Sequence, residues 1–148
     1  MNNHCPMEFG SNLCETDHGP RPFIANITCT ASQNQYYRTA LWTGDNLQMT
    51  LMSIPPCGET GAEIHRDMDQ LIRVEKGQAL VSMGESREDM DSFCNLNRGD
   101  AVFIPEGTWH NISNTGNCPL KLSSVYAPTH HPRGTIHCTK ADAENEEY

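Results

Sequence analysis

The sequence predicts an all-β fold, a sandwich or a closed barrel. Short runs of alternating or β-branched residues recur at close spacing, each bounded by Gly, Pro, Asn or Asp. No apolar pattern of helical period extends beyond about two turns. The stretch Gly99–Asn114 has the form strand, rigid turn, strand, with Pro105 fixing φ and Gly107 free to take a positive φ. Closing such a sheet removes most exposed strand edges.

Each element follows in order. Residues 1–20 are polar and punctuated by Gly and Pro, which predicts an irregular lead. Pro22 to Thr30 alternates weakly, with Phe23, Ala25 and Ile27 against Ile24, Asn26 and Thr28, and reads as an edge strand. Together these form an N-terminal extension over residues 1–35. Tyr36 to Thr43 and Leu47 to Ile54 read as strands joined at Gly44-Asp45-Asn46. The second puts Leu47, Met49 and Leu51 on one face and Gln48, Thr50 and Met52 on the other. Pro55-Pro56 ends it.

A hairpin over Glu63 to Met83 comes next, with a polar turn at Arg66 to Asp69 and Gly77 between its arms. Gly84 to Asp91 is a charged, solvated connection. Ser92 to Leu96 is a strand, followed by a turn at Asn97 to Asp100 and then the Gly99–Asn114 unit. Pro119 to Tyr126 is the last long strand, and Thr129 to Gly134 is a His/Pro-rich loop. The barrel therefore spans residues 36–140. Residues 141–148 read as a short acidic helix or frayed tail.

The 148 residues suit one domain, and a net charge of -9 disfavours nucleic acid as a partner. No apolar run approaches the ~18 residues of a membrane span, and no apolar signal segment opens the chain. A cytoplasmic location with reduced thiols is the expectation for seven cysteines, an odd number, without a Cys-x-x-Cys pair. Cys29, Cys94 or Cys118, where buried, would then behave as small hydrophobes. His4, Cys5, Cys14 and His18 offer a zinc-type donor set whose spacing fits no familiar module. The acceptor sequences at Asn26 and Asn111 carry no weight without secretion.

Two separated stretches carry the chemistry. His110 shares a strand face with Thr108 and Ile112, while Trp109 and Asn111 face the other way. Such a histidine is either a ligand or a satisfied core residue. Glu63 and His65, two apart, share one face of an extended segment, and Gln70 shares a face with Ile72 and Val74. If the two hairpins oppose each other, Glu63, His65, Gln70 and His110 converge. Nitrogen and oxygen donors without thiolate suit a divalent Mn, Fe, Ni, Co or Zn ion. Gln70, being neutral, either ligates the ion or hydrogen-bonds a substrate or water.

These stretches resemble the paired signature motifs of the cupin superfamily. In the second motif Gly99, Pro105, Gly107, His110 and Asn114 occupy every expected place. In the first, Glu63 stands where the family has a first His, His65 matches the second, Gln70 stands for Glu, and Gly77 falls in place. Leu41-Trp42-Thr43-Gly44, Leu47 to Pro55 and Tyr126-Ala127-Pro128 onward are similar to a subgroup of small bacterial cupins, from Tyr36 to about Ala143. The resemblance implies a double-stranded β-helix, or jelly roll, with short irregular extensions. It also favours a homodimer, since N-terminal strands of the family often pair with a neighbouring subunit.

Many of that subgroup are labelled mannose-6-phosphate isomerase-like, which implies a metal-dependent isomerase or epimerase acting on a sugar or sugar phosphate. Moving a proton then needs a base. Glu59, Tyr126, His130 and His131 are the candidates for the barrel mouth. Phosphate would fall near Arg38 or Arg73. Trp42, Met49, Met83 and Phe103 line a pocket or fill the core. A second reading is a dioxygenase of small organic acids or phenols, since Glu63, His65 and His110 match the two-His, one-carboxylate set in type. A third is a small-molecule binder without turnover.

Overall fold

The computed structural model describes residues 13–146. Among the described residues nine strands form two antiparallel sheets. β1 (Arg38–Thr43), β2 (Gln48–Ile54), β3 (Asp69–Lys76), β6 (Ala101–Ile104), β8 (Leu120–Ala127) and β9 (Ile136–His137) form the larger sheet, in the order β6-β3-β8-β2-β1-β9. β4 (Ala79–Gly84), β5 (Ser92–Leu96) and β7 (Trp109–Asn114) form the smaller, in the order β5-β4-β7. The chain ahead of β3 adds to the free edge of β7 through bridges Glu59–Ser113 and Glu63–His110.

Side-chain alternation sorts the residues as the sequence predicts. Met52 and Ile54 on β2, Ile72 and Val74 on β3, Val102 and Ile104 on β6, and Leu120 and Leu122 on β8 point inward. They meet Ala79, Val81, Leu96 and Ile112 from the smaller sheet to make the main core. Each fully buried side chain of this size contributes roughly 1.5–3 kcal/mol of transfer free energy. The inner row Gln48–Tyr126–Gln70–Ile104 is held in register across four strands and lies toward one end of this core.

The outer face of the large sheet carries a second cluster, and the expected edge strand at Pro22–Thr30 is not found there. Residues Ile27–Gln33 instead form helix α1, packed on β2, β3 and β8. Asn26 caps it, its side chain accepting from the Cys29 amide. Thr30 and Ala31 are buried with Cys14, Leu41 and Leu51. Lys121 Nζ reaches the Asn34 carbonyl at the helix end, and Thr28 donates to buried Glu75. Tertiary anchors outweigh the weak helix propensity of Ile-Thr-Cys-Thr.

Other expectations are also corrected. Cys29 is only partly buried, Cys94 and Cys118 are exposed, and among the described residues Cys14 is the buried thiol, its pKa pushed up to about 11 chiefly by desolvation. His4 and Cys5 lie outside the described residues. Cys14 donates to the Thr30 carbonyl, and the His18 ring stacks on Phe23. Phe103 is 75% exposed on the outer face, in one cross-sheet row with Leu71, Val125, Met49 and Trp42. Met83 packs against the main core. The tail begins with helix α2 (Lys140–Glu144), closed by a capping box between Thr139 and Asp142. Among the described residues no helix is long and apolar enough to cross a membrane.

Candidate metal centre

Backbone geometry places three donors on one spot. The amides of Glu63 and His110 each donate to the other's carbonyl at 2.9 Å. Directly opposed residues of an antiparallel bridge project side chains to the same face. The turn at Pro105-Glu106-Gly107 adds His65: with Gly107 at φ 78°, its amide donates to the His65 carbonyl at 2.6 Å. One donor atom from each of Glu63, His65 and His110 lies within 4.8 Å of the others. Glu63 Oε2 is 3.8 Å from His110 Nε2 and 4.0 Å from His65 Nε2.

The donor atoms suit an ion. His110 Nδ1 is 3.0 Å from the Thr108 carbonyl, which can only accept, so Nδ1 carries the proton and Nε2 keeps a lone pair. Nε2 of His110 and of His65 and Oε1 of Gln70 are buried, and none has a hydrogen-bond partner among the described residues. Buried polar atoms seldom go unsatisfied. Gln70 Nε2 donates to Ser124, which fixes the amide with its oxygen left over. Gln70 is the cross-strand neighbour of Tyr126, whose ring is 5.8 Å from that of His65. The two imidazoles and the carboxylate, within 4.8 Å of one another, fit a divalent cation.

Electrostatics agree with that fit. Desolvation holds His65 down to about 4, helped by His130, His110 and Arg38, so its ring is neutral and able to ligate near pH 7. Desolvation raises Glu63, partly offset by Arg38, His110 and Lys140. A carboxyl that resists ionisation in the metal-free pocket gains most from a cation beside it.

Glu63 and His65 open into a pocket of 410 Å³. Tyr126, His130 and His131 line it. The His130 and His65 rings are 4.6 Å apart, and the Tyr126 and His131 rings 5.2 Å. Gln48, fully buried, holds both loop histidines: its Oε1 accepts from their amides and its Nε2 donates to the His131 carbonyl at 2.8 Å. Desolvation lowers His130 and brings His131 to about 2, and it raises Tyr126, leaving neutral imidazoles beside a neutral phenol.

Glu59 is not brought to this group. Its exposed carboxylate accepts from Asn111 and borders a separate hollow with Cys57 and Pro119. Arg73 pairs with Glu75 at 3.2 Å, away from the pocket, whereas Arg38 lies inside it, Nη2 4.0 Å from Glu63. His137 and Lys140 escape sequence reasoning. β9 is only two residues long, and nothing in its composition signals a strand.

The family model for the cupin domain matches residues 50–126. The chain belongs to the cupin family. This cupin is 50% identical over 132 residues to the protein YrkC of Bacillus subtilis, covering 89% of this chain and 71% of that one. It is 39% identical to protein L612 of Acanthamoeba polyphaga mimivirus, covering 77% and 70%. The crystal structure of BH2720 from Bacillus halodurans superposes with a TM-score of 0.87 at 52% identity, covering 88% of this cupin and 99% of that chain. KdgF from Halomonas sp. shares the fold at a TM-score of 0.57 and 17% identity, over 63% of this cupin and 80% of KdgF.

Proposed function

We propose that this cupin is a metal-dependent enzyme that moves a proton on a small hydroxy-carbonyl compound, an isomerase or epimerase of the sugar or sugar-phosphate type. Glu63, His65 and His110 hold a divalent ion, with Gln70 as a fourth ligand or as an anchor for substrate or water. The observation that carries the reading is a neutral imidazole, His130, with its ring 4.6 Å from that of His65 in the same pocket. A bound ion supplies Lewis acidity to a carbonyl or hydroxyl oxygen. His130, lowered by desolvation and by Arg38, is unprotonated near neutral pH and takes a proton from carbon. Tyr126, raised by burial, stays a phenol and donates a hydrogen bond or a proton. His131, bonded through Gln48, shapes the wall behind them.

The test is incubation of the metal-loaded protein with aldose and ketose phosphates and their unphosphorylated sugars, following product. Turnover that vanishes in His110→Ala and falls at least about tenfold in His130→Gln is expected. Turnover no greater than that of His110→Ala overturns the reading.

The Glu63, His65 and His110 set favours one other reading, an oxygen-using enzyme on a small organic substrate. Iron in the purified protein and substrate-dependent oxygen uptake would favour it over isomerisation.

A further inference from the structure

We infer that Asp17, in the N-terminal segment, is a positioning residue that together with Arg133 fixes the loop carrying His130 and His131. The fixing of the loop rests on geometry alone. Its consequence for turnover rests on the reading of His130 as the base of the pocket proposed above.

The segment ahead of α1 is laid along β1. The Thr39 hydroxyl donates to the Cys14 carbonyl, the His18 amide donates to the Leu41 carbonyl at 2.9 Å, and the Trp42 indole donates to the Arg21 carbonyl at 2.8 Å. Gly19 rests so closely on Thr43 that a Cβ there would overlap the Thr43 backbone. Glycine is therefore what lets the segment approach the end of β1. That approach delivers the Asp17 carboxylate to the Thr43 hydroxyl.

Asp17 joins this segment to the connection between β8 and β9. Its Oδ1 accepts from the Gly19 amide at 3.0 Å, and its Oδ2 accepts from the Gly134 amide at 2.9 Å as well as from Thr43. Bonds to an ionised acceptor of this kind are the stronger sort. Arg133 returns the contact, its Nε donating to the Gly19 carbonyl at 3.0 Å and its Nη2 to the same oxygen. A second path runs inward. Thr43 Oγ1 accepts from Gln48 Nε2 at 3.0 Å, and Gln48 Oε1 accepts from the amides of His130 and His131 at 3.2 and 2.9 Å. The loop is held at the histidines by Gln48 and at Gly134 by Asp17.

Proton counting makes Asp17 the origin of this relay. An ionised carboxylate only accepts, so the single hydroxyl proton of Thr43 goes to Asp17. Thr43 Oγ1 is then left as an acceptor for Gln48. That turns the amide of Gln48, a fully buried side chain, with its oxygen toward the histidine amides. Asp17 and Arg133 stand outside the pocket lining, so they act through the loop. A base needs its place held to about 0.5 Å, which a surface loop rarely achieves unaided. The donors of the metal centre are placed otherwise, Glu63 and His110 by their mutual bridge and His65 by the Gly107 amide. Loosening the loop should leave the ion where it is.

The experiment follows amide hydrogen exchange and histidine ring resonances in the full chain for Asp17→Ala, Asp17→Asn, Arg133→Gln and Arg133→Lys. Exchange at the amides of His130, His131 and Gly134 should rise at least about tenfold in Asp17→Ala, while the amides of Glu63 and His110 keep their rates. Asp17→Asn, which turns one acceptor into a donor, should loosen the same three amides. Arg133→Gln should raise them about threefold or more, and Arg133→Lys should recover part of that protection. The His130 ring resonances should move, those of His65 and His110 should stay, and metal affinity should remain within about threefold of wild type. Unchanged exchange at the histidine amides in Asp17→Ala overturns the inference, and so does an equal rise throughout the sheets. Should Asp17→Ala fail to fold, Arg133→Gln, at an exposed position, is judged by the same two criteria. Turnover of sugars and sugar phosphates is read separately. A loop that loosens selectively in a protein whose wild type shows no turnover upholds this inference and sinks the isomerase reading. Wild-type turnover that persists undiminished once the loop has loosened overturns the positioning role and leaves the isomerase reading standing.

Discussion

Glu63 and His110 face each other across a single antiparallel bridge, so a carboxylate and an imidazole meet at 3.8 Å without help from any other side chain. The bridge is made by backbone amides and carbonyls alone, with neither side chain taking part. His110→Ala should therefore remain folded, while metal affinity falls at least about 100-fold, beyond the 10–100-fold typical for loss of a residue that only supports a ligand. Competition with a chromophoric chelator measures it. An affinity within threefold of wild type would show that His110 is not a ligand.

Gln70 decides how the altered first motif works. Its Nε2 is held by Ser124 at 2.8 Å and its Oε1 is buried without a hydrogen-bond partner among the described residues. Gln70→Glu keeps the shape and places a negative charge where that oxygen lies. On the ion, the substitution tightens metal binding by about tenfold or more, since an anionic oxygen replaces a neutral one near a dication. Away from the ion, the carboxylate is buried without compensation and the protein loses stability with no gain in metal affinity. Chelator competition and urea unfolding of the same variant separate the two outcomes, and the first is expected.

How much of this was legible beforehand depends on the range of the interactions. The Gly99–Asn114 unit was readable because proline, glycine and a two-residue period act locally. The pairing of Glu63 with His65 on one face was readable for the same reason. Helix α1 was not: nothing in Ile-Thr-Cys-Thr favours a helix, and its anchors, Glu75 and Lys121, lie far along the chain. Arg38 and Arg73 were equal candidates for a phosphate by sequence, and the fold separates them, since Arg38 is buried at the pocket while Arg73 pairs with Glu75. Glu59 and His130 were equal candidates by composition. The fold separates them, because Glu59 bridges to the outside of β7 while Gln48 draws the His130 loop inward.

The pocket histidines make the metal-free protein acid-sensitive. Desolvation lowers His65 to about 4 and His131 to about 2, and lowers His130 as well. An unfolded histidine titrates near 6.5. Below that pH the unfolded chain binds protons that the folded chain refuses, so stability drops as pH falls from 6.5 towards 4. Each such group contributes about 1.4 kcal/mol per pH unit at full slope. Glu63, raised by desolvation, runs the other way, its folded form keeping a proton above 4.5, but it is one group against three. Urea midpoints of chelator-treated protein should fall steadily between pH 7 and pH 5, and less steeply in His131→Gln. A flat profile would show that these rings are hydrated in the folded state.

Asn114, the last residue of the second motif, has a structural task that separates it from His110 on the same strand. Its Nδ2 donates to the carbonyls of Ile54 and Cys118, each at 2.9 Å, and its Oδ1 accepts from the Gly116 amide at 2.9 Å. The side chain is 5% exposed, so water does not readily replace these partners. Asn114→Ala should cost about 2–4 kcal/mol, the scale for leaving buried backbone groups unpaired. Asn114→Asp is the sharper test. It keeps the acceptor for Gly116 but turns the donor into an oxygen facing two carbonyls, so it should destabilise at least as much as alanine does. Both variants should bind metal at wild-type stoichiometry while folded, because the lost bonds go to Ile54, Cys118 and Gly116 at the far end of β7 from the Glu63–His110 bridge. Urea unfolding and elemental analysis check the pair of outcomes, and a variant that keeps its stability but loses the ion would move Asn114 from the scaffold to the site.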